Sequence, residues 1–512
     1  MRVPLTVNDF LYRAEVAFGD SPAIIDEPNQ PASPVPASTY AELGARVRAW
    51  QAGLDELGLA EGERVAVVSH NAARLLELLY AVPASGRICV PVNFRLRPEE
   101  VRFIVEHSDA SVLLVDPDLD EPLRDVTAKH RFVLGEQAEN ELMRFGVEPR
   151  PWSEPDEDAT ATINYTSGTT ADPKGVELTH RNIWTNAVTF GLHVRAWEQD
   201  VYMHTLPMFH CNGWGMPYIV AGLGIKQVVL RAVDGTEILR RVDEHGVTLM
   251  CGAPTVWNMV LDSAKDWPGE IPGRDRLRIV TAGAPPPSRT IARIRDELGW
   301  EFLQIYGLTE TTPLLTFNRA QPRDAGLPGE EAAARLSRAG APALGAQLDV
   351  SDSGEVLARS NVVLKGYWRN PTATEKAIED GMFHTGDGGV IDDEGYLTIR
   401  DRKKDVIITG GENVSSIEVE DTLFSHPAVA EVAVIGVPSE KWGETIKALV
   451  VTADGAEVSE DEIIAHCKQR LAGYKSPTSV EFRESIPRTA TGKVQKYRLR
   501  EPYWEGHERQ VH

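Results

Sequence analysis

The order of apolar and polar positions predicts a layered α/β fold for most of residues 1–320. Segment 64–92 contains a short apolar run, a helix-length stretch rich in Ala and Leu, and a second apolar run. This order is typical of a parallel βαβ unit. Related helix-then-strand patterns occur over 97–116 and 237–254. We therefore predict doubly wound α/β layers.

The pattern of apolar and polar residues changes between Ala341 and Arg400, where turn-forming residues interrupt short apolar runs. The tripeptides DSG at 352–354 and DEG at 393–395 are typical of tight hairpins. This region is therefore predicted to be rich in β-structure.

A smaller α+β unit is predicted after the charged stretch DRKKD, residues 401–405. Segment 459–474 is predicted to be a helix, because Ser459 and Glu462 have capping-box spacing before an apolar face. We place a domain boundary near residue 402, which gives domains 1–401 and 402–512. Segments 27–39 and 317–333 are predicted to be loose, because turn-forming residues dominate them.

Composition and charge narrow the possible partners. The chain has 512 residues, 42% of them hydrophobic, and 76 acidic against 53 basic side chains give a formal charge of -23. That charge repels nucleic acid and anionic lipid, and no basic patch offsets it. The start of the chain does not resemble an export signal and no run of about 18 apolar residues occurs, so we expect a cytoplasmic protein without a membrane segment. The four cysteines form no CxxC pair for zinc or redox chemistry.

The stretch YTSGTTADPKG, residues 165–175, has the composition of a phosphate-binding loop. A Walker-type loop requires glycine before its lysine, whereas Pro173 precedes Lys174 here and has no N–H to donate. The residues favour a hydroxyl-rich turn that closes over a polyphosphate, with Lys174 as the counter-charge. A polar surface loop is the alternative that this stretch leaves open.

Five further motifs accompany this loop along the chain. They are PMFHCNGWG (207–215), TAGAPPP (281–287), YGLTET (306–311), HTGD (384–387), and DRKKDVIITGGENVSSIEVE (401–420) with PRTATGK (487–493). In this order they resemble the acyl-adenylate-forming superfamily of acyl-CoA synthetases, firefly luciferase and peptide-synthetase adenylation domains. The resemblance covers the full length. It implies a large N-terminal domain of two doubly wound α/β subdomains plus a β-rich subdomain, hinged to a small α+β C-terminal domain.

The resemblance also implies which residues bind nucleotide. Tyr306 stacks on adenine, Thr309 contacts the α-phosphate, Glu310 holds Mg²⁺, and Asp387 takes the ribose hydroxyls. The full implied ATP/AMP set is Thr166, Ser167, Gly168, Thr169, Thr170, Lys174, Gly283, Ala284, Pro285, Tyr306, Gly307, Thr309, Asp387 and Arg402. A carboxylate is also the usual reader of a ribose diol on chemical grounds, although a surface Asp–Gly turn is the alternative for Asp387.

The acyl pocket implied by the resemblance is mostly small or apolar. Its residues are His210, Asn212, Gly213, Trp214, Ala282 and Gly307, and no lysine or arginine among them suits a second carboxylate. We therefore expect a medium-chain fatty or aryl acid, with Trp214 as either the floor of a short pocket or the side of a long one. His210 and Cys211 also suggest a thiol dyad. We reject it, because neighbours on an extended segment point to opposite faces.

The resemblance implies that the catalytic residues are Lys493, Glu310, Thr309 and His210. It assigns the hinge to Lys404 and the thiol-acceptor side to Gly410 and Gly411. It implies ATP and Mg²⁺, with coenzyme A as co-substrate. Asp401 and Ser416 depart from a glycine and a proline that are common in the family. We expect these departures to bear on substrate identity and not on the chemistry.

The expected function is activation of a carboxylic acid as acyl-AMP, followed by transfer to the thiol of coenzyme A. Loading of a carrier-protein pantetheine is an alternative that the sequence does not separate from this one. A non-catalytic ATP-binding sensor is the alternative from another class, and intact Lys493, Glu310, Asp387 and Arg402 weigh against it. Both a monomer and a homodimer fit the sequence.

Overall fold

The computed structural model describes residues 1–166, 173–283, 286–402, 405–409, 412–439, 441–489 and 493–505, without the side chains of residues 402 and 413. Strands and helices are numbered here in chain order within these ranges.

The strands are β1 (Pro22–Ile25), β2 (Ser38–Thr39), β3 (Arg64–Val68), β4 (Ile88–Val92), β5 (Ala110–Val115), β6 (His130–Val133), β7 (Thr160–Thr166), β8 (Lys174–Thr179), β9 (Val201–His204), β10 (Lys226–Val229), β11 (Leu249–Gly252), β12 (Arg278–Thr281), β13 (Glu301–Gly307), β14 (Leu314–Asn318), β15 (Ala341–Pro342), β16 (Ala346–Val350), β17 (Glu355–Ser360), β18 (Gly366–Tyr367), β19 (Ile378–Glu379), β20 (Met382–Ile391), β21 (Leu397–Arg402), β22 (Ile407–Thr409), β23 (Glu412–Val414), β24 (Val429–Ser439), β25 (Gly443–Thr452) and β26 (Ser479–Phe482).

The helices are α1 (Asn8–Phe18), α2 (Tyr40–Glu56), α3 (Ala73–Ala84), α4 (Pro98–Ser108), α5 (Pro117–Asp120), α6 (Glu136–Leu142), α7 (His180–Val194), α8 (Cys211–Trp214), α9 (Met216–Gly222), α10 (Gly235–His245), α11 (Pro254–Ala264), α12 (Ser288–Arg293), α13 (Gly329–Leu336), α14 (Pro371–Ala377), α15 (Ser416–Phe424), α16 (Glu460–Lys468) and α17 (Lys496–Trp504).

Two large, mainly parallel sheets form the first part of the chain, as the apolar pattern predicted. One has seven strands in the order β18-β8-β7-β4-β3-β5-β6, and the other has nine in the order β15-β14-β13-β12-β11-β9-β10-β1-β2. The βαβ unit predicted over 64–92 is confirmed as β3, α3 and β4, with the two strands parallel. Residues 65–68 are fully buried, which explains why β3 reads as an unbroken apolar run.

The third sheet contains the two hairpins predicted from DSG and DEG. The strands are β16, β17, β19, β20 and β21, and their pairings are antiparallel. The turns between β16 and β17 and between β20 and β21 place Gly354 and Gly395 at φ of 79° and 80°, a region that favours glycine. The pairing of β20 with β21 sets Asp387 directly opposite Arg402.

The fourth sheet belongs to the smaller α+β unit. Its order is β23-β22-β25-β24, with β26 paired to β25, and α15 and α16 pack against it. The capping box of Ser459 and Glu462 is confirmed. The helix ends at Lys468, before the predicted end at 474, and residues Gly473–Lys475 form a separate 3₁₀ turn. The boundary near 402 stays a prediction.

The prediction of a loose segment over 317–333 was wrong in part. The segment begins at the end of β14 and runs into α13. Ala332, Ala333 and Leu336 of this helix are buried, and Ala333 and Leu336 belong to the core cluster of the nine-stranded sheet. Tertiary packing therefore orders a segment whose composition favours turns.

None of the helices in the described ranges is both long and apolar enough to cross a membrane.

Candidate active site

The residues predicted to read adenine and ribose meet in the structure. Tyr306 lies near the carboxyl end of β13, and its hydroxyl donates a hydrogen bond of 2.8 Å to Oδ2 of Asp387 on β20. Asp387 is 6% exposed, and its backbone N–H donates to Oγ1 of Thr385 at 3.1 Å. Two residues 81 positions apart in the chain, one from each motif, thus form one polar contact between two sheets.

Glu310 and Lys174, predicted to serve the phosphates, meet around a third residue, Tyr367. The Tyr367 hydroxyl donates to Oε1 of Glu310 at 3.0 Å. The ammonium of Lys174 lies 4.9 Å from the centre of the Tyr367 ring. Burial and the Glu310 carboxylate raise the pKa of Tyr367, so that its hydroxyl stays protonated and donates.

The two ends of the predicted phosphate loop are held together by β7 and β8. Their antiparallel register pairs Thr166 with Lys174. Tyr165, the residue before Thr166, is fixed by a 2.8 Å hydrogen bond between its hydroxyl and Nδ1 of His107. Four predicted loop residues, Ser167, Gly168, Thr169 and Thr170, lie outside the described residues.

The segment predicted to border the acyl group contains a left-handed turn. Residues 211–215 have φ values of 46°, 52°, 59°, 60° and 77°. For residues other than glycine this region is unfavourable, so neighbouring contacts must hold it. The Asn212 amide donates to Oγ1 of Thr162 at 2.9 Å, and the Asn186 amide donates to the Trp214 carbonyl at 3.0 Å. Asn212 therefore braces the turn, and Trp214 is only 4% exposed.

His210 immediately precedes this turn and is partly buried. Burial first, and the positive charge of Lys493 second, lower the pKa of His210 to about 4. The imidazole is therefore neutral at physiological pH. The positive charge of Lys493, on the C-terminal unit, thus acts on the His210 imidazole.

Cys211 lies in the core and does not act as an exposed nucleophile. It is 2% exposed, and burial followed by the nearby Glu310 charge raises the pKa of its thiol. The rejection of a thiol dyad therefore agrees with its surroundings. The premise of an extended segment was wrong, because Cys211 adopts a left-handed conformation that the flanking hydrogen bonds enforce.

The predicted glycine positions have clear backbone reasons. A Cβ added to Gly307 would lie 1.4 Å from the carbonyl oxygen of Pro313, so only glycine fits where β13 meets the following turn. Gly283 has a φ of 91°, which also favours glycine. Ala282 beside it is buried. Ala284 and Pro285 lie outside the described residues.

Lys493 lies next to the antiparallel bridge between Arg488 and Val494. Its carbonyl accepts a hydrogen bond of 2.7 Å from the Thr489 N–H, and its own N–H donates to Oγ1 of Thr489 at 3.1 Å. Arg488 pairs with Glu431 of β24 at 2.8 Å, which anchors this bridge to the small sheet. The predicted residues Lys404, Gly410 and Gly411, and the side chain of Arg402, lie outside what the structure describes.

Two features of the site escaped sequence reasoning. Tyr367 contacts both phosphate-side residues, yet the local sequence KGYW carries no chemical signal. Asp401 and Ser416 attracted attention only as separate departures, whereas the Ser416 hydroxyl donates to Oδ2 of Asp401 at 2.5 Å. Only spatial proximity reveals either arrangement.

The chain matches known protein families over most of its length. A family model described as AMP-binding enzyme matches residues 12–368, and one described as AMP-binding enzyme C-terminal domain matches residues 418–493.

Individual relatives align almost end to end. A 2-methylpropanoate–CoA ligase of Humulus lupulus is 36% identical over 97% of this chain and 95% of its own length. A 4-hydroxybutyrate–CoA ligase of Metallosphaera sedula is 36% identical over 97% of this chain and 94% of its own. The solved structure of o-succinylbenzoate CoA synthetase from Bacillus subtilis, in complex with its acyl-adenylate intermediate, is similar with a TM-score of 0.82 and 29% identity, covering 96% of this chain and 97% of that one.

Proposed function

Because this chain belongs to the AMP-binding enzyme family, whose members among its relatives are acyl-activating enzymes and CoA ligases, we propose that it ligates a carboxylic acid to coenzyme A through an acyl-AMP intermediate. ATP and coenzyme A are its substrates. The finer assignments that follow belong to the same proposal.

The observation that carries the proposal is that side chains from distant segments of the chain contact one another. Tyr306 contacts Asp387, and Glu310 and Lys174 share Tyr367. Tyr306, Asp387 and Lys174 come from three different sheets. The charge of Lys493, from the small unit, acts on His210 beside them. A nucleotide bound by these side chains has its ribose next to Asp387 and its phosphates next to the ammonium groups of Lys174 and Lys493.

In the first half-reaction, a substrate carboxylate oxygen attacks the α-phosphorus of ATP. The bond from that phosphorus to the oxygen bridging it to the β-phosphate breaks, and pyrophosphate leaves. Lys493 and Thr309 meet the negative charge that builds at the α-phosphate and the incoming carboxylate, while Thr166 and Lys174 hold the outer phosphates. Each preorganised contact of this kind typically lowers the activation free energy by about 3–4 kcal/mol.

The adenosine part of ATP is oriented by two side chains that contact each other before nucleotide binds. Asp387 accepts hydrogen bonds from the ribose hydroxyls, and Tyr306 lies against the adenine with its hydroxyl held by Asp387. Gly307 and Gly283 let the backbone pass close to the base. Arg402, opposite Asp387 in the strand register, belongs to the same binding set.

Glu310 is the residue that suits Mg²⁺. Magnesium binds one or two carboxylates together with substrate phosphates more often than a full protein cage. Within the described ranges, no three His, Cys, Asp or Glu side chains come together as a metal site. When bound, Mg²⁺ offsets phosphate charge; the protein holds Glu310 in place for it through the Tyr367 hydroxyl.

In the second half-reaction, the thiol sulfur of coenzyme A attacks the acyl carbon, its proton passes to solvent, and AMP leaves with the former anhydride oxygen. We assign residues 1–401 to the domain that holds acid and nucleotide, and residues 402–512 to a mobile domain that turns about Lys404. The turn removes Lys493 and presents Gly410 and Gly411 to the thiol. A short charged segment absorbs such a change without unpacking a core.

The acid is proposed to be a medium-chain fatty or aryl acid. Among the pocket side chains, Trp214 and Ala282 are apolar. His210 is uncharged at neutral pH, because burial lowers its pKa to about 4. The relatives named above act on short branched, hydroxylated and succinylated acids, so the family changes its acid readily. Screening a panel of acids by pyrophosphate release identifies the substrate.

The deciding experiment separates the two half-reactions. Lys493→Ala is expected to abolish acid-dependent exchange of labelled pyrophosphate into ATP, yet to preserve thioester formation from supplied acyl-AMP. Lys468→Ala, at an exposed position of α16, is the matched control and retains both reactions. Equal loss of both half-reactions in Lys493→Ala contradicts the assignment. Comparing free coenzyme A with a carrier protein as acceptor tests the pantetheine alternative.

A further inference from the structure

A buried polar cluster joins the small unit to the strand beside the ribose reader. We call Asp401, Ser416, Glu420 and Lys496 the junction cluster. The Lys496 ammonium lies 2.8 Å from Oε1 of Glu420 and also donates to the Ser416 hydroxyl. Ser416 in turn donates to Oδ2 of Asp401, through its hydroxyl at 2.5 Å and its backbone N–H at 2.8 Å.

The cluster members come from three separate elements. Asp401 is on β21, one residue before Arg402, which stands opposite Asp387. Ser416 and Glu420 are on α15, and Lys496 begins α17 only three residues after Lys493. The cluster therefore links the strand next to the ribose site with the segment that carries the catalytic lysine.

The members of the junction cluster are largely shielded from water, so each charged group depends on its partners in the cluster. Asp401 is 2% exposed, Ser416 is fully buried, and the Lys496 side chain is 11% exposed. Burial raises the pKa of Asp401 and of Glu420. Although burial by itself lowers the pKa of Lys496, the Glu420 and Asp401 carboxylates raise it above its usual value. The lysine is thus charged, and loss of any partner leaves a buried group uncompensated.

If the cluster only stabilised the small unit, all of its contacts would lie inside that unit, as the Lys496–Glu420 ion pair does. The contact to Asp401 is different, because Asp401 lies on the other side of the proposed pivot at residue 404. A rotation about that pivot must break the bonds between Asp401 and Ser416.

We propose that the junction cluster is a latch, with Lys496 as a positioning residue, that holds Lys493 over the nucleotide during adenylation and must open before thioester formation. This inference rests on the proposed two-step function. The two residues that depart from the family pattern, Asp401 and Ser416, are the pair that closes the latch. In this proposal, unlike the expectation from sequence, the departures bear on the two half-reactions and not on substrate identity.

The primary test is Asp401→Asn, which leaves the Lys496–Glu420 pair intact within the small unit. Acid-dependent pyrophosphate exchange is expected to fall about 10- to 100-fold, the range typical for loss of a charge-assisted hydrogen bond. Thioester formation from supplied acyl-AMP is expected to stay unchanged or to accelerate. Equal changes in both half-reactions, or no change in either, overturn the latch.

Lys496→Met and Lys496→Arg provide a second test. The methionine variant is expected to lose exchange activity selectively, and the arginine variant to recover part of it because the charge returns. If the methionine variant fails to fold, the Asp401→Asn result alone decides. The matched control is Lys447→Met, a lysine 16% exposed that faces Glu481 inside the small sheet, and it should show no selective effect.

Failure of the latch and failure of the proposed function are distinguishable. If the unmodified protein catalyses no acid-dependent pyrophosphate exchange across the acid panel, the proposed function fails before any variant is compared. If the unmodified protein is active and Asp401→Asn changes both half-reactions alike, the latch alone is refuted.

Discussion

Tyr367→Phe isolates one contact in the proposed phosphate site. The substitution removes the hydroxyl that donates to Glu310 at 3.0 Å and keeps the ring beneath Lys174. Tyr367 is 8% exposed, so water does not readily replace the lost hydroxyl. The Glu310 carboxylate is then free to turn away from the position in which it would hold Mg²⁺.

The expected loss follows from the kind of bond. A hydrogen bond to a charged group contributes about 1.5–3 kcal/mol, which corresponds to about a 10- to 100-fold lower adenylation rate. Tyr367→Leu removes the aromatic face as well, and the cation–π contact adds about 0.5–2 kcal/mol. The leucine variant should therefore be the slower of the two.

The assay is acid-dependent pyrophosphate exchange measured over a magnesium titration. Tyr367→Phe is expected to need more Mg²⁺ for half-maximal exchange, while its thermal unfolding midpoint changes little. Tyr396→Phe is the matched control, because Tyr396 is also 8% exposed and carries the Arg338 guanidinium 4.1 Å from its ring centre. If the two phenylalanine variants have the same exchange rate and magnesium dependence, the role given to Tyr367 is refuted.

Three further predictions concern the pivot, the backbone and acid stability. Lys404→Pro should slow thioester formation from acyl-AMP while sparing pyrophosphate exchange; unchanged thioester formation contradicts the pivot. Gly307→Ala should cost about 2 kcal/mol or more of stability in urea unfolding, because its Cβ meets the Pro313 carbonyl; Gly473→Ala, in open space, is the control, and equal stability of the two variants refutes the argument. Burial lowers the pKa of His180 and of His204 to about 4. Because the unfolded chain binds protons below about pH 6.5 and the folded protein does not, the free energy of unfolding should fall between pH 6.5 and 4 by up to about 1.4 kcal/mol per pH unit for each histidine; a flat profile there contradicts this.

Local patterns in the sequence were sufficient for the architecture. Parallel layers, the hairpins at Gly354 and Gly395, and the capped start of α16 all follow from interactions within a few residues or from burial on both faces of a sheet. The helix α13 was missed because its order comes from packing of Ala333 and Leu336 into the core cluster of the nine-stranded sheet.

For the candidate site, too, the sequence predicted part of the arrangement and only the structure showed the rest. Tyr306, Asp387 and Glu310 were predicted to bind nucleotide because they stand in motifs whose order resembles the family's, and the proposed role of each suits its chemistry. Their mutual contacts, the Tyr367 bridge and the junction cluster depend on residues tens to hundreds of positions apart. Such contacts leave no local periodicity, since side-chain proximity across sheets is set only when the layers pack. The sequence by itself therefore determined the layers and the chemical groups, and the tertiary structure decided which groups meet.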